Sequence, residues 1–177
     1  MNLSNPLIKV PLRYALIGAP IGLLANLALY WMGKHPALVL PFFDFRIILF
    51  AVFIFLTIKE IRDYSEDGSL YFWQGMIASF VMIIVYSVVV SGALYLFMKL
   101  QPNYVADFVK TGTEQLKNFP PEDIKRIGKE VYEQQLTMMK TISSEFLAQR
   151  YFVQCFGISI FISIIISVIL RRTPKTT

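Results

Sequence analysis

The chain has 177 residues, of which 55% are hydrophobic and only 16% are charged, and its formal net charge is +5. Soluble domains average about 25% charged residues, so this composition is typical of a membrane protein. A single histidine and a single cysteine exclude a disulfide framework and a cysteine-based metal site. The basic residues are spread along the chain instead of lining an aromatic groove, which argues against nucleic acid as a partner.

Four apolar stretches predict four transmembrane helices within one membrane domain that comprises residues 1–177. A helix needs about 20 mostly apolar residues to cross the hydrocarbon core. We expect the crossings at about 12–33, 41–61, 72–98 and 149–170. The second crossing reaches this length only by including Asp44 and Arg46, because its uncharged stretch, 47–58, is short. The predicted fold class is an all-α integral membrane bundle.

The distribution of basic residues predicts that both termini lie in the cytoplasm. Cytoplasmic segments of membrane proteins carry an excess of Lys and Arg. With cytoplasmic termini, the inside segments hold seven basic residues: Lys9, Arg13, Lys59, Arg62, Arg171, Arg172 and Lys175. The long connection between the third and fourth crossings then lies outside the cytoplasm.

The first crossing carries Gly18, Gly22 and Asn26 at a spacing of four residues. This spacing places them on one face of a helix, and glycine lets a second backbone approach closely. We expect this face to pack against another helix. Pro20 lies between the glycines and is expected to bend the helix or to free one backbone hydrogen bond.

Asp44 and Arg46 are the ionisable residues inside a predicted crossing, and such groups are candidate functional charges. Both fall in the outermost turns, where arginine reaches toward lipid headgroups. Residues two apart on a helix do not face each other, so we expect no pair between them. Arg150, on the same side of the membrane, is the expected partner of Asp44.

The loop after the second crossing, 59–68, contributes three further candidate functional charges: Glu60, Arg62 and Asp63. Its carboxylates lack the spacing of a calcium-binding loop. We therefore interpret it as a solvated cytoplasmic loop.

The connection between the third and fourth crossings predicts an extracytoplasmic amphipathic helical hairpin at about 102–146. Apolar residues recur at helical spacing on both sides of Pro120 and Pro121, which break the chain. We expect the face around Met138, Met139 and Ile142 to rest on the mouth of the bundle or on a partner, because methionine suits adaptable contacts.

The last crossing carries a regular stripe of small residues four apart: Cys155, Ser159, Ser163 and Ser167. Stripes of this kind allow close helix contacts and weak interhelical hydrogen bonds. We expect the stripe to be buried, with Gly18 and Gly22 as the facing surface.

Several of these residues carry a resemblance to a known family. They are Tyr14 with Gly18 and Gly22, the Lys-Glu-Ile-Arg-Asp run at 59–63, Gly68, Phe72 and Pro102. With them, the chain resembles the domain-of-unknown-function family 4199 of bacterial inner-membrane proteins. The family tends to have two glycines in the turn where this chain has Gly68 and Ser69. The resemblance implies four crossings and a bacterial inner membrane, and it implies no activity, cofactor or catalytic residue.

No nucleotide-binding, hydrolase or metal-binding motif occurs in the sequence, so no catalytic residue and no cofactor are predicted. The leading hypothesis is a non-catalytic membrane subunit or scaffold that contacts lipid and packs with other membrane proteins or with itself. One alternative is a small oligomeric transporter or channel-like protein. Another is an enzyme on lipid-linked substrates that uses Asp44, Arg46, His35 or the Glu60 and Asp63 pair.

Overall fold

The computed structural model describes residues 5–39, 44–65 and 68–172. Within these residues seven α-helices follow one another. They are α1 (Pro6–Trp31), α2 (Phe45–Asp63), α3 (Phe72–Leu100), α4 (Asn103–Lys117), α5 (Pro121–Ile127), α6 (Lys129–Lys140) and α7 (Ser144–Leu170). The all-α prediction is confirmed, and the predicted start of the second crossing, 41–43, lies outside the described residues.

The first helix begins six residues earlier than hydropathy predicts. The Asn5 side chain accepts a hydrogen bond from the Leu7 amide at 3.0 Å, and Pro6 occupies the first turn. Both features favour a helix start, because proline has no amide hydrogen to leave unpaired there. The helix runs on past Pro20 and ends at Trp31. Capping therefore extends it beyond its apolar stretch.

Among the described helices, three are long and apolar enough to cross a membrane: α1, α3 and α7. The helix α2 has 19 residues and carries charged residues near both of its ends. Its uncharged stretch of 47–58 is about 18 Å long, which is shorter than a hydrocarbon core of about 30 Å. The fourth crossing therefore stays a prediction.

The four long helices pack in the order α1, α3, α7 and α2 around the bundle. The bundle core is apolar and centred on α2 and α3, where Phe50, Ile54, Ile83 and Tyr86 are fully buried. The outward faces of α1, α3 and α7 expose large apolar side chains, such as Phe161, which is 72% exposed. An apolar outer surface of this kind is expected where lipid surrounds the bundle.

The bundle has two distinct ends. At the end that we call the loop end, α2 finishes and α3 begins, and the backbones of Leu70 and Arg172 exchange two hydrogen bonds of 2.7 and 2.8 Å. At the opposite end, which we call the cap end, α3 finishes, α7 begins, and the helices α4, α5 and α6 connect them. We refer to these three helices as the cap helices.

The cap helices differ from the predicted two-helix hairpin. The second predicted helix is interrupted at Gly128, whose φ of 91° lies in the left-handed region that favours glycine. It ends again at Thr141, before Ser143 caps α7 by accepting from the Phe146 amide. The prediction of one continuous helix after Pro121 was therefore wrong, because a glycine with positive φ ends a helix.

The methionine face of α6 is divided between two environments. A Cβ atom on Gly112 of α4 would lie 3.2 Å from the Met139 sulfur, so α6 rests on α4 at this point. Met139 and Ile142 pack against the core, whereas Met138 is 64% exposed. The expected resting face is thus covered in part by the chain itself.

Candidate functional site

The strongest concentration of buried polar groups lies at the start of α2. The Asp44 carboxylate accepts two hydrogen bonds from Arg46 Nε, at 2.8 and 2.9 Å, and one from Arg46 Nη2. Asp44 is 7% exposed and Arg46 is 5% exposed. The two residues therefore form a buried ion pair within the bundle.

The prediction that these residues do not pair was wrong, and the position of the helix start explains why. Asp44 precedes α2 with extended backbone angles, φ −76° and ψ 118°, and its side chain caps the helix by accepting from the Arg46 amide at 2.9 Å. The rule that residues two apart diverge holds only inside a helix. Arg150, the expected partner of Asp44, instead places its guanidinium 5.6 Å from the Phe108 ring centroid.

The helix α7 completes the surroundings of the arginine. Arg46 Nη2 donates to Gln154 Oε1 at 3.2 Å, and Nη1 lies 3.9 Å from the Cys155 sulfur. The guanidinium also stacks over the Tyr151 ring at 4.7 Å. The expectation that Arg46 reaches the lipid headgroups was wrong, because its donors are directed into the bundle.

A chain of hydrogen bonds extends this site across the other helices. The Tyr151 hydroxyl lies 3.2 Å from the Tyr86 hydroxyl and accepts from Asn26 Nδ2 at the same distance. Asn26 Nδ2 also donates to the Gly22 carbonyl at 2.8 Å. The resulting polar network joins α1, α2, α3 and α7 through seven side chains: Asn26, Asp44, Arg46, Tyr86, Tyr151, Gln154 and Cys155.

Gly22 lies where the backbone of α1 meets this network. A Cβ atom on Gly22 would stand 1.9 Å from the Tyr86 hydroxyl, so a side chain there collides with α3. A Cβ atom on Gly18 would lie 3.5 Å from the Phe53 ring, which is an ordinary contact with α2. Both glycines therefore lie in helix contacts. Of the two, Gly22 is the position where any side chain would collide with the neighbouring helix.

A small cavity of about 20 Å³ adjoins the network. Its polar lining comes from Asn26, Arg150, Tyr151 and Gln154, and the rest is mostly apolar. A cavity needs about 10–15 Å³ to hold one water molecule, so this space is of that order. It is far too small for an organic substrate.

The small-residue stripe of α7 is buried as expected, but it faces a different helix. Cys155, Ser159, Ser163 and Ser167 are fully buried. A Cβ atom on Gly75 of α3 would lie 2.8 Å from the Ser167 hydroxyl, so the stripe packs against α3 here. The expectation that Gly18 and Gly22 face the stripe was wrong, because they contact Phe53 and Tyr86.

The hydroxyl groups of the stripe differ in their hydrogen bonding. Ser159 donates to the carbonyl of Phe156 in its own helix at 3.1 Å. Among the described residues, the buried hydroxyls of Ser87, Ser163 and Ser167 have no hydrogen-bond partner. The stripe therefore acts mainly through close packing.

At the loop end, a second cluster connects two residues that carry the family resemblance. The Glu60 carboxylate accepts from the Tyr14 hydroxyl at 2.8 Å and forms an ion pair with Arg13. Arg62 and Asp63 lie 3.5 Å apart at the surface. Glu60 thus joins α2 to α1, whereas the Asp63 side chain is 55% exposed and the Arg62 side chain is 24% exposed.

His35 occupies a third polar position, beneath the cap helices. Its Nε2 donates to the Tyr104 carbonyl at 3.0 Å, and its Nδ1 accepts from the Ala37 amide at 3.3 Å, which assigns the neutral form with the proton on Nε2. The rings of Tyr30, Tyr104 and Phe108 surround it at centroid distances of 4.5 to 6.0 Å. Burial lowers the pKa of His35, which the nearby backbone carbonyl and Asp107 partly oppose.

The chemistry of these sites is that of ion pairing and hydrogen bonding within the chain. Within 5–39, 44–65 and 68–172, no three His, Cys, Asp or Glu side chains are grouped so that they can hold a metal ion. Sequence reasoning missed Tyr86, Tyr151 and Gln154 as members of the network. These residues could have been identified from their polar side-chain atoms, because a polar atom inside an apolar crossing needs a hydrogen-bond partner.

Comparison with known proteins adds the family but no activity. Residues 13–172 match the family described as "Protein of unknown function (DUF4199)". The match includes both the polar network and the Tyr14 and Glu60 cluster. No curated protein and no solved structure matches the chain.

Proposed function

From the premise that the chain belongs to the DUF4199 family, whose function is unknown, we propose a function that rests on its geometry. The protein is a non-catalytic integral membrane subunit or scaffold that packs with another membrane protein. The observation that carries this proposal is the polar network, in which the buried charges are satisfied by side chains of the same bundle. Such a network holds the helices together, and neither of its two charges, Asp44 and Arg46, is left free for a substrate.

The dimensions of the site support this role. Ligand pockets usually measure about 300–1,000 Å³, whereas the cavity lined by Asn26, Tyr151 and Gln154 of the network measures about 20 Å³. Arg46 already donates to Asp44 and Gln154, and its ring contact with Tyr151 covers one face of the guanidinium. An enzyme or a transporter needs such a group to be reachable from solvent.

A control at the network separates a structural role from a chemical one. Replacing a buried ion pair by apolar residues of similar volume is often neutral for stability. The double variant Asp44→Leu with Arg46→Met should therefore still insert and should retain its partner. If the double variant is folded and inserted but no longer retains its partner, the two charges act chemically and not only in packing. That result would overturn the proposal.

We propose that the bundle crosses the bacterial inner membrane four times, with both termini and the loop end in the cytoplasm. The position of α2 between α1 and α7 supports a fourth crossing, and the basic residues of the loop end support the orientation. Cysteines placed at Ser65 and Glu114, in a Cys155→Ser background, should be labelled from opposite sides of intact cells. Labelling of both from the outside would exclude this topology.

The cap helices supply the surface that we propose for docking the extracytoplasmic part of the partner. No residue of α5 or α6 is buried among the described residues. On α6, Val131 and Met138 are 44% and 64% exposed, and their spacing of seven places them on one face of the helix. This face is available because α6 packs on α4 through Met139 instead.

The test compares two charge substitutions on the same helix. Tagged full-length protein is cross-linked in cells and purified in mild detergent, and the proteins that co-purify are identified. Met138→Glu should reduce the yield of the partner at least fivefold, whereas Thr137→Glu, which adds the same charge at an exposed position about 100° around α6 from Met138, should not. Equal recovery of the partner with both variants would remove the cap helices as the docking surface.

One observation favours transport as a second candidate. The buried hydroxyls of Ser163 and Ser167 have no partner among the described residues. With Cys155, which contacts Arg46, and Ser159, they stand four residues apart along α7 toward the loop end. If this stripe conducts protons or water, Ser163→Ala should abolish the flux into proteoliposomes without changing stability. A wild-type protein that shows no flux would exclude this candidate.

A further inference from the structure

A groove between α3 and α7 opens on the outer surface of the bundle at the cap end. It has a volume of about 440 Å³ and is lined mainly by apolar and small side chains: Val88, Ser91, Gly92, Tyr95, Glu145, Ala148, Gln149 and Phe152. The lining residues recur every three or four positions on both helices. Each helix therefore contributes one continuous face, and the groove runs along the bundle axis.

We propose that this groove binds one phospholipid whose headgroup is zwitterionic and carries a primary ammonium. The acyl chain lies along α3 and α7, and the headgroup lies at Lys99 and Glu145. This site is separate from the polar network and from the docking surface on α6. It requires only that α3 and α7 stand in a membrane, for which both are long and apolar enough.

The small residues of the groove make room for an acyl chain. A Cβ atom on Gly92 would meet no atom within 4 Å, and Ala148 faces the same groove from α7. From Val88 to Tyr95 the groove extends about 10 Å along α3 at 1.5 Å per residue. A helix with its side chains is about 10–12 Å across, so a helical segment of this length exceeds 440 Å³. A single acyl chain is the occupant that this shape fits.

Among the described residues, the charged groups at the groove lie at its cap end. Lys99 Nζ lies 2.8 Å from Glu145 Oε1, which also accepts from the Tyr95 hydroxyl at 3.3 Å. The Lys99 and Glu145 side chains are 51% and 55% exposed, so both are open to a headgroup. Because α3 and α7 run in opposite directions, the end of α3 and the start of α7 lie at the same end of the groove.

The neighbouring positions of the Lys99 ammonium and the Glu145 carboxylate determine which headgroup can bind. Lysine has three donors, of which one is used by Glu145, so the others can bind phosphate oxygens. The second oxygen of Glu145, Oε2, accepts from the Ser144 hydroxyl at 3.3 Å and has a further lone pair that can accept from an ammonium that still carries hydrogens. A trimethylammonium offers no such donor, and an anionic headgroup without an ammonium places negative charge beside Glu145. The site therefore prefers ethanolamine over choline and glycerol headgroups.

The first arm of the test asks whether the groove holds lipid. Full-length protein in detergent is supplied with phosphatidylethanolamine, and bound lipid is counted by native mass spectrometry. Gly92→Leu should reduce retention at least fivefold. Gly157→Leu is the matched control, because a Cβ atom added there also meets no atom within 4 Å and the position lies outside the groove. Equal retention by the two variants would mean that the lipid is merely surrounding the bundle, and it would overturn the proposal.

The second arm asks which headgroup is bound. Phosphatidylethanolamine, phosphatidylcholine and phosphatidylglycerol with identical acyl chains compete for the wild-type protein, and the ethanolamine lipid should be retained at least fivefold more. Glu145→Gln should bring this ratio close to one, whereas Glu133→Gln on α6 should not change it. Equal retention of the three lipids by the wild type, or a preference for phosphatidylglycerol, would overturn the headgroup assignment.

Discussion

The contact between Gly22 and Tyr86 gives a prediction that depends on a single atom. In Gly22→Ala the new methyl group would stand 1.9 Å from the Tyr86 hydroxyl and 2.8 Å from Cζ. Tyr86 is fully buried and touches the Tyr151 hydroxyl, so it can move only by breaking the polar network. The helix α1 must then shift away from α3, or the tyrosine must leave its position.

The magnitude follows from two losses. Overpacking of a core costs about 1–3 kcal/mol, and the lost hydrogen bond between the tyrosines adds about 0.5–1.5 kcal/mol. Alanine's higher helix propensity returns up to about 1 kcal/mol, so we expect Gly22→Ala to lower the free energy of unfolding by about 1–4 kcal/mol. For a chain of this size the melting temperature should fall by roughly 2–16 °C. Circular dichroism during heating in mild detergent measures this shift.

Gly18→Ala is the matched control on the same helix. Its methyl group would lie 3.5 Å from the Phe53 ring, and alanine raises helix propensity by up to about 1 kcal/mol, so stability should hold or rise. Adding Tyr86→Phe to Gly22→Ala removes the closest atom and should recover part of the loss, since Cζ remains at 2.8 Å. Equal changes in melting temperature for the two alanine variants, or an unchanged melting temperature for Gly22→Ala, would refute the close contact between Gly22 and Tyr86.

Three further predictions concern buried groups. Asp44→Asn leaves Arg46 buried without a carboxylate and should cost about 3–5 kcal/mol in the free energy of unfolding, most of it recovered by adding Arg46→Met; an unchanged melting temperature would contradict the buried pair. Because folding lowers the pKa of His35, its contribution to stability should be complete above about pH 6.5. It should be lost by up to about 1.4 kcal/mol per unit as the pH falls below that value. A nitrogen NMR titration follows this single imidazole directly. A His35 pKa at or above about 6.5 in the folded protein would contradict the predicted loss of stability at low pH. Ser163→Leu should lower the melting temperature, whereas Ile164→Leu, at a position that is 40% exposed, should leave it unchanged; equal tolerance would mean that the serine is not packed.

Local properties of the chain could be predicted from the sequence because they depend on neighbours along it. The long apolar run predicted a helix at 72–98, and α3 spans Phe72–Leu100. The spacing of four residues in the last crossing predicted a buried stripe, and Cys155, Ser159, Ser163 and Ser167 are buried. Periodicity reports which residues share a face, so it identifies a buried face without identifying what covers it.

What covers each face is decided by the tertiary structure. The stripe of α7 packs against α3 at Gly75, and the glycine face of α1 packs against Phe53 and Tyr86. Either arrangement satisfies the same pattern of small residues, because small residues permit a close approach without selecting the partner. The choice among partners is made by the whole bundle.

The pair formed by Asp44 and Arg46 shows the same division. The order of residues alone places two charges at the edge of an apolar stretch, where each requires a partner or solvent. Whether they pair depends on where α2 begins, since Asp44 can fold back onto Arg46 only from outside the helix. The partners Gln154 and Tyr151 are more than 100 positions away along the chain. Hydropathy, which sums over neighbouring residues, carries no information on contacts at that separation, so only the packed bundle decides them.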